Sequence, residues 1–214
     1  MTILTVSRFI KNISKELPIA NVVTLIRVIM ALLVLLIVQI NPLTNLIAIF
    51  LILILMSLDA LDGFIARSLN ASSLNGSIYD ILADRIIENI FFIYFASNNL
   101  FSVWFALTLL IRGLIIDAVR TIYATTKTTP FSWHKITWAK FFVNSRLSRG
   151  TYNSFKMITF ICYAGLLMPQ GYLFTLITHE NMNHLAHLFL WLTVSMAILR
   201  TIPVIWEGLT RKRI

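Results

Sequence analysis

Charge is what this chain has least of. Only 13% of its 214 residues are Asp, Glu, Lys or Arg, against 58% hydrophobic. A soluble domain of this length carries roughly twice that charged fraction. The composition therefore argues against a water-soluble domain and for a chain that meets lipid. Cysteine occurs once, at Cys162, so no intrachain disulfide can form. Inside an apolar run, that thiol reads as a small buried hydrophobe. Internal repeats and low-complexity tracts are absent. One membrane domain, residues 18–214, follows a short amino-terminal segment, 1–17.

Six apolar segments are each long enough to cross about 30 Å of hydrocarbon. They are Asn21–Ile40, Leu43–Ala66, Ile78–Ser97, Leu100–Tyr123, Phe155–Phe174 and His187–Ile205. No cleavage-like run of small residues follows the first, which is expected to be a retained span. Lys and Arg are missing from Asn41–Thr44, Ser97–Leu100 and Pro169–His187. They gather instead at Arg8, Lys11 and Lys15, at Arg67, between the fourth and fifth segments, and at Arg211, Lys212 and Arg213. This positive-inside distribution predicts both termini in the cytoplasm. In Met1–Leu17, Ile3, Leu4, Phe9, Ile10 and Ile13 alternate with Ser7, Arg8, Lys11, Asn12 and Lys15, as in an amphipathic helix lying in the membrane interface. The expected fold is an all-α integral membrane protein, six transmembrane helices preceded by that interfacial helix.

The net charge of +9 invites a nucleic-acid reading, but no binding motif accompanies it. A basic face at the bilayer attracts anionic headgroups and phosphate substrates instead. The one long polar connection, Ala124–Thr151, carries Trp133 and Trp138 among His134, Lys135 and Lys140, which suits headgroup level. No nucleic-acid partner is expected.

Against this background the acids stand out. Four of only nine lie between Asp59 and Asp84: Asp59, Asp62, Asp80 and Asp84. A carboxylate at membrane depth is a functional hypothesis by default. Residues three or four apart share a helix face, so these acids form two pairs on consecutive helices that can converge. Four carboxylates together require positive charge between them. Hard oxygen ligands without Cys or His favour Mg²⁺, Mn²⁺ or Ca²⁺ over Zn²⁺ or Cu²⁺.

Written out, the run is Asp59-x2-Asp62-Gly63-x2-Ala66-Arg67-x8-Gly76-x3-Asp80-x3-Asp84. At every fixed position it resembles the signature of the CDP-alcohol phosphotransferase family. The resemblance implies transfer of a phosphatidyl group from CDP-diacylglycerol to an acceptor hydroxyl, with release of CMP. It implies two metal ions, Mg²⁺ or Mn²⁺, held by Asp59, Asp62, Asp80 and Asp84, with Asp84 also the general base. It implies that Gly63, Ala66 and Gly76 give the nucleotide close access to the helix backbones, and that Arg67 reaches the donor. Asn21-x2-Thr24-x2-Arg27 resembles a second family pattern and is expected to line the CDP site. Its plain alternative is a helix cap, a back-bonded threonine and a snorkelling arginine. A homodimer is implied by resemblance alone.

The acceptor half is carried by cations. Arg112 and Arg120, eight apart, are similar to the arginines of phosphatidylglycerophosphate synthase-like members. Lys140, Arg146, Arg149, Lys156 and Arg200 add further candidate ligands for a small phosphorylated alcohol. The alternative for Arg120 is a structural pair with Asp117 across one helical turn. The connection before the fifth segment is longer than in those members, and no Glu-Arg-rich segment typical of inositol-phosphate enzymes occurs. Glycerol 3-phosphate is the expected acceptor, with inositol phosphate, inositol, serine and phosphatidylglycerol as alternatives. From other classes, a cation transporter and a prenyl-diphosphate enzyme also use acids, but neither accounts for the Gly, Ala and Arg spacing. His179, His184 and His187 are expected to be solvated interface residues rather than a metal site.

Overall fold

The computed structural model describes residues 19–68, 74–124, 145–168 and 178–210, with side chains except at 19–23, 59–68, 74–80, 120–124, 146 and 207–210. Among the described residues there are six helices and no strand: α1 (Ile19–Ile37), α2 (Pro42–Ser68), α3 (Leu74–Ser97), α4 (Val103–Ala124), α5 (Arg146–Leu166) and α6 (His179–Thr210). The expected interfacial helix over 1–17 lies outside the described residues.

Periodicity decides which face each helix buries. On α1, Arg27, Ala31, Val34 and Val38 are buried, at steps of three and four residues. Leu25, Ile29, Leu32 and Leu36 are exposed on the outside of α1. α2 repeats the plan, with Asn45, Ala48, Ile52 and Leu55 inside and Leu46, Ile47, Phe50 and Leu53 outside. A helix apolar on both faces suits lipid on one side and protein on the other.

Between α1 and α2 the chain turns within four residues. Gln39 takes a left-handed φ of 73°. Asn41 caps α2: its Oδ1 accepts the Thr44 N–H at 2.9 Å, and Thr44 Oγ1 accepts the Asn41 N–H at 3.0 Å. Pro42 follows at the first helical position, where its missing N–H costs nothing. The α3–α4 turn lies beside this one, because Gln39 Nε2 donates to Asn98 Oδ1 at 2.7 Å.

The helices close into a ring. α1 packs on α2 and α3, α3 on α4, α4 on α6, α6 on α5, and α5 on α2. Aromatic rings fill one end of its interior. Phe160 of α5 stacks on Phe91 with centroids 4.8 Å apart and meets Phe92 edge-on at 5.0 Å. Tyr163 lies 4.9 Å from Phe101 and 5.8 Å from Phe95. This plug begins about one turn beyond Glu88 on α3, so the polar interior described below is closed on that side. Phe160→Ala is expected to destabilise the bundle by about 3–5 kcal/mol, since Phe-to-Ala changes in cores cost that much. The measurement is the thermal unfolding midpoint in detergent.

The largest boundary shifts from the sequence-based expectation fall on α5, which also ends at Leu166 rather than Phe174, and at the start of α6. α5 starts at Arg146, not Phe155, because its polar residues Ser148, Tyr152 and Lys156 are buried inside the ring rather than looped out. That removes the last residues of the polar connection expected over Ala124–Thr151. α6 starts at His179, eight residues before His187, with an exposed polar first turn. Among the described residues only His179–Trp206 is a helix long and apolar enough to cross a membrane by length and composition, with shorter apolar stretches at Thr24–Ile37 and Pro42–Leu58.

Candidate active site

The aspartates sit on helices as their spacing requires. Asp59 and Asp62 occupy α2, and Asp80 and Asp84 occupy α3. α1 packs against both of these helices. The side chains of Asp59, Asp62 and Asp80, and those of Asn21, Gly63, Ala66, Arg67 and Gly76, lie outside the described residues.

Asp84 is described, and it meets Arg27. The Arg27 Nη2 donates to Asp84 Oδ1 at 2.8 Å, with the arginine side chain 2% exposed and the carboxylate 35% exposed. A charge-assisted bond of this length is a strong one. It joins the two separate sequence patterns, the Asn-x2-Thr-x2-Arg of α1 and the aspartate run of α3, into one site. Arg27 is thus not a snorkelling arginine. Thr24, one turn earlier on α1, is half-buried. Asp84 remains open enough to reach a substrate.

One turn further along α3, Glu88 is buried at the meeting point of four helices. Tyr152 of α5 donates its hydroxyl to Glu88 Oε1 at 2.6 Å. Arg112 Nη1 of α4 lies 3.5 Å from the same oxygen and donates to the Tyr152 hydroxyl at 3.2 Å. Lys156 Nζ of α5 lies 3.5 Å from the other oxygen, Oε2. From α6, Thr201 Oγ1 accepts from Arg112 Nε at 3.1 Å and donates its own hydroxyl hydrogen bond to the Ala197 carbonyl at 2.8 Å. The guanidinium of Arg200 lies 5.4 Å from the Tyr152 ring centroid, that of Arg112 also at 5.4 Å, and Lys156 Nζ at 5.5 Å. The Tyr152 ring therefore faces three cations, an arrangement its π-electrons favour. An ion taken out of water costs several kcal/mol unless paired and hydrogen-bonded, and this shared carboxylate and phenol meet that requirement.

Of the acceptor candidates, the structure brings Arg112, Lys156 and Arg200 together. Arg149 is half-buried in the first turn of α5, seven residues before Lys156. Arg120 and Arg146 occupy α4 and α5, but their side chains, like all of Lys140, lie outside the described residues. The Asp117–Arg120 pair lies outside the described residues, because the Arg120 side chain does. Asp117 Oδ2 lies 3.8 Å from Arg85 Nε, across the α3–α4 contact. Glu88, Tyr152 and Thr201 escaped sequence reasoning. Glu88 had a signal, since Asp80, Asp84 and Glu88 recur every four residues on one face.

The three histidines fall at the start of α6. His179 and His184 are exposed, and His184 Nε2 is 3.9 Å from Glu180 Oε1. His187 departs from the solvated expectation: it is half-buried, edge-on to Tyr163 at a centroid distance of 5.9 Å.

The described helices form a ring with acids and cations inside it and apolar side chains on its outer faces. The sequence profile of the CDP-alcohol phosphatidyltransferase family matches residues 17–199, and the chain belongs to that family. Its chemistry is transfer of a phosphatidyl group from a CDP-alcohol, in phospholipid biosynthesis. The family is generally metal-dependent. No individual curated protein matches the chain. Family membership sets aside the transporter and prenyl-diphosphate alternatives.

Proposed function

We propose that this enzyme transfers the phosphatidyl group of CDP-diacylglycerol to the hydroxyl of a small phosphorylated alcohol, with glycerol 3-phosphate the best-supported acceptor. The carrying observation is the convergence of buried Arg112 and Lys156 and half-buried Arg200 on Tyr152, one turn of α3 from Asp84. Four residues of helix rise about 6 Å. A short phosphoalcohol can span that distance, its phosphate on the cations and its hydroxyl at Asp84. A neutral acceptor such as inositol would bring no phosphate to these cations.

Asp84 takes the proton as the acceptor oxygen bonds to the phosphorus that carries diacylglycerol. The bond from that phosphorus to CMP breaks, and CMP leaves with the electron pair. The donor set of Asp59, Asp62, Asp80 and Asp84 fits two hard divalent ions in its all-oxygen chemistry and helical spacing. Mg²⁺ or Mn²⁺ bound there would clamp the diphosphate and stabilise charge on the leaving CMP. Arg27 holds Asp84 in place. Asn21, Thr24, Arg67 and the small residues Gly63, Ala66 and Gly76 form the CDP side of the site. We place residues 18–214 in one six-span membrane domain behind an interfacial helix at 1–17. Both termini and the site face the cytoplasm, and the enzyme works as a homodimer in the bilayer.

The test is CMP release by purified protein with CDP-diacylglycerol and Mn²⁺. Glycerol 3-phosphate, inositol phosphate, inositol, serine and phosphatidylglycerol are offered in turn. Turnover is expected with glycerol 3-phosphate and is expected to vanish with EDTA, returning with Mg²⁺ or Mn²⁺. Turnover with serine or inositol and with no phosphorylated acceptor would sink the acceptor assignment.

A further inference from the structure

We propose that Glu88 is a resident counter-anion of the acceptor pocket, which an incoming phosphomonoester displaces from Arg112 and Lys156. The proposal rests on the reading that these cations receive a phosphorylated acceptor, and it names a residue that sets affinity for that substrate class.

Three observations carry it. The first is geometry. The two carboxylate oxygens of Glu88 each face a different cation, Oε1 toward Arg112 and Oε2 toward Lys156. A carboxylate bridging two cations through separate oxygens stands where two oxygens of a phosphate would stand.

The second is slack. Both ion pairs are 3.5 Å long, beyond the roughly 2.7–2.9 Å of a tight charge-assisted bond. By contrast, the Arg27–Asp84 bond in the same structure is 2.8 Å. Arg112 has partners besides Glu88: its Nε donates to Thr201 and its Nη1 to the Tyr152 hydroxyl, and that hydroxyl in turn donates to Glu88 Oε1 at 2.6 Å. Its Nη2 makes no hydrogen bond among the described residues. The guanidinium is therefore held in place while keeping a donor for a ligand.

The third is charge. The groups gathered at Tyr152 are three cations and one carboxylate. A phosphomonoester carries about 1.5–2 negative charges at pH 7, more than the single carboxylate it would replace. Glu88 neutralises part of the cluster while the site is empty, where unscreened cations would repel one another. Once phosphate enters, the same carboxylate repels it. Glu88 thus exchanges affinity for a stable empty site and for release of a phosphorylated product. It is a positioning and specificity residue, and touches no reacting atom.

The experiment uses the full chain in detergent as wild type, Glu88→Gln and Glu88→Asp. Thermal unfolding is followed against inorganic phosphate, with chloride at matched ionic strength as the control. Without phosphate, Glu88→Gln should unfold at a lower temperature than wild type. Saturating phosphate should return most of the difference, because a ligand that binds only the folded state stabilises it. Phosphate should bind this variant about tenfold more tightly, within the usual range of coupling between sites. KM for glycerol 3-phosphate should fall by a similar factor, with KM for CDP-diacylglycerol unchanged. Glu88→Asp, which withdraws the carboxylate by one methylene, should bind phosphate about threefold more tightly and decides the matter if Glu88→Gln does not fold. Equal or weaker phosphate binding in the variants, or no phosphate stabilisation of wild type, overturns the proposal and leaves Glu88 a fixed structural ion-pair partner. The acceptor reading fails separately, by wild-type turnover with unphosphorylated acceptors only.

Discussion

Asp84→Asn is expected to leave the helix ring folded and to lower CMP release by about a thousandfold or more. Loss of a positioned general base costs about 10²–10⁴ in rate, and the same residue is a proposed metal ligand. Asn is the informative replacement because its carbonyl oxygen can still accept from Arg27 Nη2, the bond that measures 2.8 Å in the native site. The charge is lost and the packing is kept. Steady-state CMP release, with CDP-diacylglycerol binding measured separately, distinguishes chemistry from affinity. Retention of more than a tenth of the activity, in protein that unfolds at the native temperature, would remove Asp84 from catalysis. The Arg27 pair would then be purely structural.

The second large effect is expected at Arg112. Arg112→Lys preserves one positive charge but not the planar fork that reaches Thr201 through Nε and Tyr152 and Glu88 through Nη1. A hydrogen bond to a charged group contributes about 1.5–3 kcal/mol, so the acceptor KM should rise about 10–150-fold. KM for CDP-diacylglycerol should be unaffected, because the donor side is built from α1, α2 and the start of α3. Equal losses for donor and acceptor, together with a lower unfolding temperature, would mean that Arg112 only ties α3, α4, α5 and α6 together.

The donor half of the site was legible in sequence because it is local. Asp59 with Asp62, and Asp80 with Asp84, sit at helical spacings that need no knowledge of packing. Arg27 was legible as part of a short pattern on α1. Its partner was not, since Arg27 and Asp84 are 57 residues apart and nothing in either pattern names the other. The start of α5 was misplaced because hydropathy scores Ser148 and Tyr152 as loop-like. In the structure the same residues face a polar interior, where charge partners replace water. His187 was misjudged in the opposite sense, for a titratable side chain next to exposed neighbours can still lie against an aromatic ring.

The acids and their intervening Gly, Ala and Arg, each within one helix or one turn of the next, follow from the sequence by itself. So do the helical class and the family. Tertiary structure alone decided the proposed acceptor pocket. Glu88, Arg112, Tyr152, Lys156, Arg200 and Thr201 come from four helices, and no spacing rule links them. They meet because the ring order sets α4 beside α3 and α6, and α5 beside α6. A buried ion persists only where another helix supplies its counter-charge.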